Sequence, residues 1–525
     1  MTAAAAATPA RRGDRDPTLW LLLGLVLAVN VVSMPAYRYD GDPIAWEVEA
    51  DYLTRWGRLG APAAVAERVG GHTPYFVFNP ESGRHYSKYG IANTLLYSIP
   101  LFLERHLAGV DVRLVPDDAF GKPGLPYTQT RRVLTLNLFN LALSLLLAAT
   151  LYRLAALYTE SRPTRLLFVL SCFYSTYLWN YLRGQSSQIY QCLFFSFSYY
   201  QLLLAQRSAL ATRSTGAPGP LPLRPLALST LALGALCLVK TAYLPLLAVH
   251  GSAALALGTT GPADLRGKVG ALLRGRLGSY AVGLVLPALA CLVLLLAVND
   301  LKFGSPLRLG YEGNPNLWGG KLYESIPSYL FHPRFSIFVH FPLLVIALFG
   351  LRSFVSRHHW DLALVWSHFL VMFAINSNYL HWDGEAAFGA RYLLFALPTL
   401  SLPAIAVFDR IALRRSQTSA RIAAAAIAIL LLTSAWLQTR QNALEFHVYY
   451  RLRPIFFHGV TRSPEVWSYF QRNNQALVVS DFERYRDGGP PPLPMEVARG
   501  RLGPAEYAEL EARIRTFLGS NYYFW

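Results

Sequence analysis

Charge is what this sequence has least of. Of its 525 residues, 15% are Asp, Glu, Lys or Arg and 53% are hydrophobic, whereas soluble domains carry about 25% charged residues. With a positive mean hydropathy, the deficit argues against an ordinary soluble enzyme and for a polytopic membrane protein. Cysteine is scarce too. Cys172, Cys192, Cys237 and Cys291 all fall inside apolar runs, where they read as small core residues rather than disulfides or metal ligands. There is no internal repeat, no motif that reads RNA or DNA, and no stretch sized for a soluble catalytic domain. Acids are outnumbered, 31 against 48 basic residues. The basic excess sits in short loops and suits an anionic membrane surface better than nucleic acid.

What is there is a series of long apolar runs. Residues 18–36, "TLWLLLGLVLAVNVVSMPA", carry no charge over about the length needed to cross ~30 Å of hydrocarbon. They are too long for a signal-peptide core and read as a retained anchor. Further runs lie near 133–152, 165–181, 188–206, 225–239, 242–258, 280–298, 335–351, 361–376, 391–408 and 422–437. The loops at 153–165, 207–224, 259–278, 352–359 and 409–421 are short and Arg-rich, so the positive-inside rule assigns them, with the N-terminal "RRGDR", to the cytoplasm. The remaining connections are aromatic and mixed or acidic. Residues 91–103, "IANTLLYSIPLFL", are apolar but too short to span comfortably, and an interfacial placement keeps every Arg-rich loop on one side.

The expected fold is therefore an all-α polytopic membrane protein of about eleven transmembrane helices. Residues 1–17 form a cytoplasmic tail, and 18–437 a membrane domain whose long first external loop (37–130) contains a juxtamembrane helix. Residues 438–525 form a small external C-terminal region. The expected location is the bacterial inner (plasma) membrane, with the N-terminus cytoplasmic and the C-terminus external.

The candidate chemistry collects on the external connections. "YDGDPIAWEVEADY" places Asp40, Asp42, Glu47, Glu49 and Asp51 just behind the first run. The Asp40/Asp42 pair could supply a general base or hold a divalent cation; no cofactor is certain. Glu47, Glu49 and Asp51 fit an exposed helix face. In "GRHYSKYG", Arg84, His85 and Lys88 stand at headgroup depth with Tyr86 and Tyr89 beside them. Lys88 could snorkel, or bind a lipid-linked phosphate as a compact point charge. Arg391 begins a run at an outer boundary and wants an anionic partner, which a phosphate, Asp383 or Glu385 could supply. Lys240, in "CLVKTAYLP", is tolerable at an outer turn but costly at mid-bilayer. Aromatic faces and amide edges at Trp46, Tyr52, Gln185, Trp382 and Asn378 suit a sugar. A base for an acceptor hydroxyl and cations for a departing phosphate suffice to transfer a sugar from a polyprenyl-phosphate carrier. A single displacement implies inversion.

The order and spacing of "YDGD", "SKYG", "FGSPLRLGY" (Phe303 to Tyr311), "FHPRFSIFVHFP" (Phe331 to Pro342) and "WDGEAAFGARYLLFALP" (Trp382 to Pro398) resemble the GT-C superfamily of membrane glycosyltransferases. The likeness is to bacterial relatives of the protein O-mannosyltransferase (family 39-like) and lipid A aminoarabinose transferase group. The resemblance implies a catalytic aspartate in the first external loop, Asp40 or Asp42, and a carrier phosphate held by Lys88 and Arg391. It implies a polyprenyl-phosphate-sugar donor and a glycan, lipid or protein acceptor. His85, Tyr89 and Trp382 are the further substrate-binding candidates. An envelope polysaccharide ligase or polymerase would use the same donor. A lipid-linked sugar flippase would instead need polar or broken helices at mid-membrane.

Overall fold

The computed structural model describes residues 16–34, 42–70, 75–107, 127–214, 222–257, 277–311, 318–333, 335–382, 389–440, 452, 455–456, 463–472 and 475–519. The element order is α1 (Pro17–Val32), α2 (Asp42–Trp56), α3 (Ala63–Gly70), an antiparallel hairpin β1 (Phe76–Asn79) and β2 (Arg84–Ser87), and α4 (Ile91–Leu107). Next come α5 (Tyr127–Ala155), α6 (Arg162–Tyr174), α7 (Leu178–Leu182), α8 (Ser187–Ser214), α9 (Leu223–Val239) and α10 (Pro245–Leu255). They are followed by α11 (Leu286–Phe303), α12 (Leu322–Phe331), α13 (Leu343–Ser377), α14 (Leu397–Leu400), α15 (Ala404–Leu413) and α16 (Thr418–Arg440). Four short helices close the chain: α17 (Pro464–Arg472), α18 (Gln475–Arg486), α19 (Leu493–Arg501) and α20 (Pro504–Gly519).

Among the described residues, five helical stretches are long and apolar enough to cross a membrane: Leu134–Ala155, Leu277–Phe303, Leu343–Ser377, Leu394–Leu413 and Thr418–Arg440. Pro17–Val32, Leu223–Val239 and Thr241–Leu255 are apolar but shorter. The chain is a multi-pass membrane protein. Its outer face carries the expected apolar surface: Ile422, Ile429, Leu432 and Trp436 on α16 and Leu289 and Val293 on α11 are exposed. Such a face is stable against lipid and not against water.

The polar connections sort to opposite ends of the bundle. At one end Asp16 caps α1, accepting from the Thr18 amide (3.1 Å) and the Tyr152 hydroxyl at the end of α5 (2.9 Å). Arg162 and Arg165 of α6 lie 3.6 and 3.9 Å from the same carboxylate. Thr159 and Thr164 donate to Asp409 (2.9 and 2.8 Å), and Tyr158 donates to Asp361 (3.0 Å). These residues belong to, or border, the Arg-rich connections. At the other end Asn93 of α4 donates to the Val239 carbonyl (2.9 Å), Asn140 to the Gly184 carbonyl (2.8 Å) and Tyr243 to Gln191 (2.8 Å).

Helix α4 has both of its ends at this second end. Its first turn meets the C-terminus of α9, and Glu104 near its last turn accepts from Thr135 (3.3 Å), at the start of the apolar stretch of α5. One stripe of α4 (Leu95, Ile99, Phe102 and Leu103) is exposed and apolar, while Ile91, Thr94, Tyr97, Leu101 and Glu104 are buried. The spacing of three and four residues is that of one helical face against protein and one against lipid.

Two expected runs are more broken than the sequence suggests, and two others join across an expected connection. The run at 165–181 stops at Tyr174, where Ser175 caps α6, and restarts as the single turns of α7. The run at 335–351 becomes helical only at Leu343, because Ser336 turns the chain by bonding the Leu330 carbonyl (2.6 Å) and receiving the Phe338 and Val339 amides. In α13 the backbone leaves helical geometry at His358 (φ −135°, ψ 36°), inside the Arg-rich stretch 352–359 where a connection is expected. The C-terminal helices have a core of their own, with Phe456, Val466, Phe470, Phe482, Met495 and Ile514 buried together.

Candidate anion cleft

The "SKYG" turn is fixed by contacts that only glycine allows. A Cβ on Gly90 would sit 2.2 Å from the Leu238 carbonyl oxygen and 2.5 Å from that of Val239, so the turn seats directly on the end of α9. Asn93 rivets it, donating to the Gly90 and Val239 carbonyls (2.9 Å each) while its own oxygen accepts from Tyr190 (2.6 Å). The hairpin docks in turn on α11, where Asn79 donates to the Leu301 carbonyl (3.1 Å).

At its C-terminus α11 ends on Gly304 in the left-handed region (φ 71°), the usual glycine stop. Asn299 reaches the Pro306 carbonyl (3.3 Å) and Arg308 the Phe303 carbonyl (3.0 Å), folding residues 304–311 back over the helix end. Gly310 (φ 79°) completes the return; a Cβ there would meet the Phe303 ring at 2.8 Å and the Lys88 Cα at 3.4 Å. Leu309 and Tyr311 are thereby brought to Lys88.

The result is an open cleft lined by Lys88, Lys240 and Lys302, with Tyr89, Thr241, Asn299 and Tyr311 among its walls. The Lys88 ammonium lies 5.9, 5.4 and 5.7 Å from the ring centroids of Tyr75, Tyr89 and Tyr311, within cation–π range. Lys240 caps the end of α9 and stands 3.9 Å above the Tyr392 ring. Arg391 stacks on the same ring (4.9 Å) and donates to the Tyr392 hydroxyl (3.1 Å). Lys302 donates to Glu49 (3.1 Å) and to the Tyr89 carbonyl (3.0 Å), and Glu49 also accepts from Thr94 (2.6 Å). Three lysine side chains thus line one cleft walled by tyrosines, and Lys302 among them is buried and paired with Glu49.

The structure brings Lys88 and Tyr89 into this cleft and joins Arg391 to it through Tyr392. It does not bring His85 or Trp382 there. His85 sits in β2 against Phe78 (4.9 Å). Trp382 packs edge-on against Tyr329 and Phe335, and its carbonyl accepts from the Tyr329 hydroxyl (2.6 Å). Asp40, Asp383 and Glu385 lie outside the described residues, as does the side chain of Asp42, the first residue of α2. Among the described residues no group of three or more His, Cys, Asp or Glu could hold a metal ion.

The acids of α2 require a correction. Glu47, Glu49 and Asp51 are 0%, 1% and 4% exposed, not an exposed helix face. The reason is that α2 packs along α4 rather than standing in solvent. Glu49 meets Lys302 and Thr94, and Asp51 meets Arg55 (2.8 Å) and Arg105 (3.2 Å). Lys302 and Asn299 are the cleft residues that sequence reasoning missed. Their signal was "VNDLKFG", polar residues closing an apolar helix immediately before its glycine stop.

No known protein family matches the chain, and no curated protein matches its sequence. Two solved structures of the archaeal oligosaccharyltransferase AglB from Archaeoglobus fulgidus are similar in fold. One is in complex with an inhibitory peptide and a dolichol-phosphate, at TM-score 0.45 and 11% identity over 87% of this chain. The other is tethered to an acceptor peptide containing the NVT sequon, at TM-score 0.47 and 11% identity over 87% of this chain. This chain spans about three fifths of their length, 60% and 59% respectively. A likeness of this size says nothing about what this chain does.

Proposed function

We propose that this chain is an integral-membrane glycosyltransferase that moves a sugar from a polyprenyl-phosphate carrier to a glycan, lipid or protein acceptor. The supporting observation is the lysine cleft, which lies at the end of the bundle that also carries the first-loop helix α2. A carrier phosphate would lie at headgroup depth, where Lys88 and Lys240 can hold it and stabilise the charge that grows on it as the sugar leaves. The base is a first-loop aspartate, Asp40 or Asp42, at the entry to α2. It takes the acceptor's proton as the acceptor oxygen attacks the anomeric carbon, the bond to the carrier phosphate breaks on the opposite side, and the configuration inverts. A divalent cation bridging the two aspartates is an alternative use of the pair.

The same reading sets the topology. The cleft end faces the exterior of a bacterial plasma membrane, the Asp16 end faces the cytoplasm, about eleven segments cross, and residues 438–525 lie outside. The test is turnover of a radiolabelled prenyl-phosphate sugar in membranes enriched in the protein. Label should pass to membrane-associated acceptor in wild type and not in Asp40→Asn. Equal transfer in wild type, Asp40→Asn and Asp42→Asn overturns the reading.

A further inference from the structure

The turn between α15 and α16 gathers arginine without an acid. Arg410 and Arg414 stand one helical turn apart at the end of α15, Arg414 as its C-cap, and Arg415 follows. The Gln417 amide donates to the Arg414 carbonyl (2.9 Å), and the Nε of Arg421, in the first turn of α16, donates to the Arg415 carbonyl (3.2 Å). All four arginines are exposed, and no ion pair among the described residues includes any of them. The acids at this end are engaged elsewhere: Asp409 accepts from Thr159 and Thr164, Asp361 from Tyr158, and Asp16 meets Arg162 and Arg165. Residues 1–15 and 258–276, outside the described residues, are themselves basic, with three and four Arg or Lys against one Asp each.

Such a cluster has a cost. Like charges one turn apart on a helix repel, and a cation in the first turn of α16 meets the positive end of the helix dipole. The positive-inside bias accounts for cations at this end but not for the residues set among them. Leu413 is 85% exposed and Ile422 65%, and the exposed apolar face continues along α16 through Ile429, Leu432 and Trp436. Aliphatic side chains exposed beside arginines put this elbow at the boundary between hydrocarbon and headgroups. There an arginine lays its stem along acyl chain and its guanidinium fork on phosphate. An acidic soluble protein would match the charge but not the aliphatic residues. We propose that the α15–α16 elbow docks an anionic phospholipid, its phosphate on these arginines and its chains along Leu413, Ile422 and α16. Four or more basic residues next to a membrane-spanning helix attract anionic lipid in this way. The site lies at the opposite end of the bundle from the lysine cleft and does not depend on the proposed activity.

The test is native mass spectrometry of the full-length protein in neutral detergent, titrated with phosphatidylglycerol and, separately, with phosphatidylcholine of the same chain length. Each lipid carries one phosphate, and choline cancels the charge of the second. Wild type should retain phosphatidylglycerol in preference. Arg414→Gln/Arg415→Gln should weaken phosphatidylglycerol by roughly fivefold per charge removed and leave phosphatidylcholine as it was. Adding Arg410→Gln and Arg421→Gln should abolish the preference. Arg499→Gln/Arg513→Gln removes two exposed charges from α19 and α20 and should change neither lipid. Inorganic phosphate at the lipid's concentration should not displace phosphatidylglycerol, because it has no chains to lie on Leu413 and Ile422. No preference in wild type, equal losses in the two double variants, or a preference that survives in the quadruple variant overturns the proposal. Displacement by inorganic phosphate overturns it in favour of a free anion. A wild-type dimer that dissociates in the quadruple variant, with lipid binding unchanged, overturns it in favour of a second copy of the chain.

Discussion

At the Asp16 end of the bundle, carboxylates meet hydroxyls and cations one by one: Asp16 with Tyr152 and Arg165, Asp361 with Tyr158, Asp409 with Thr159 and Thr164. At the cleft end the pattern reverses. Lys88, Lys240 and Arg391 stand over tyrosine rings, and Lys302 is tied to a carboxylate, Glu49. An aromatic face attracts a cation weakly, by about 0.5–2 kcal/mol. A contacting carboxylate cancels the cation's charge. The first arrangement closes the bundle and the second gathers cations beside aromatic rings, and each can be tested by asking whether a change alters stability or substrate use.

The sharpest test of the comparison is all-or-none. Reporter fusions at Arg213, Lys268 and Arg415 should read cytoplasmic, and a fusion after Gln441 should read external. An external signal at Arg213 would place the two ends on the wrong sides. Next in size is Asp40→Asn, which keeps shape and removes the base, so turnover should fall on the order of 10²–10⁴-fold with the protein still inserted. Asp42→Asn should match it only if a metal bridges the pair, in which case a chelator should abolish activity as well; loss with Asp42→Asn alone would make Asp42 the base.

Much of the arrangement around these residues was legible in sequence. The "SKYG" turn, the helix that begins at Ile91 and the apolar runs at 133–152, 188–206 and 225–239 each follow from local chemistry: glycine, composition and run length. What was not legible depended on distant partners. Glu47, Glu49 and Asp51 read as solvated because the residues that cover them come from elsewhere, Lys302 lying 253 positions from Glu49. Trp382 read as a sugar platform, yet Tyr329 and Phe335, more than forty-five positions upstream, pack edge-on against it. No pattern within a window of residues reports either fact.

The burial of the α2 acids changes what their removal should do. Lys302→Ala leaves Glu49 charged, buried and unpaired, and should cost about 3–5 kcal/mol of stability; thermal unfolding in detergent measures it. Replacing Glu47, Glu49 and Asp51 together should therefore damage the protein broadly rather than leave it active. A triple variant with wild-type melting and turnover would mean that α2 is not packed as described. Lys88→Ala should be narrower. Loss of a charge-assisted contact costs ~1.5–3 kcal/mol, about ten- to a hundredfold in donor use, with melting unchanged. Lys88→Arg should also fail, since a planar fork does not replace a point charge in this turn.

The smallest effect belongs to the other end, at Asp16. Burial raises its carboxyl's affinity for a proton, but the Tyr152 hydroxyl, the Thr18 amide and the charges of Arg162 and Arg165 outweigh that and hold it below the usual value of 3.8. The sign follows from linkage: a carboxyl depressed in the folded state contributes stability above its unfolded pKa and loses that contribution as pH falls through the folded value. Asp16→Asn keeps the helix cap, because Asn caps as well as Asp, and removes only the charge. The variant should thus be less stable than wild type by about 1 kcal/mol near pH 7, and the gap should shrink as pH drops below 3.8. Turnover per folded molecule at neutral pH should not change, because the network holds the ends of α1, α5 and α6 together and touches no part of the cleft. Melting curves of the two proteins between neutral and acid pH give the first result, and a turnover assay on equal amounts of folded protein gives the second. A gap that persists in acid would mean that the loss does not come from the charge of Asp16. A fall in turnover at unchanged stability would mean that this end is not the closed one.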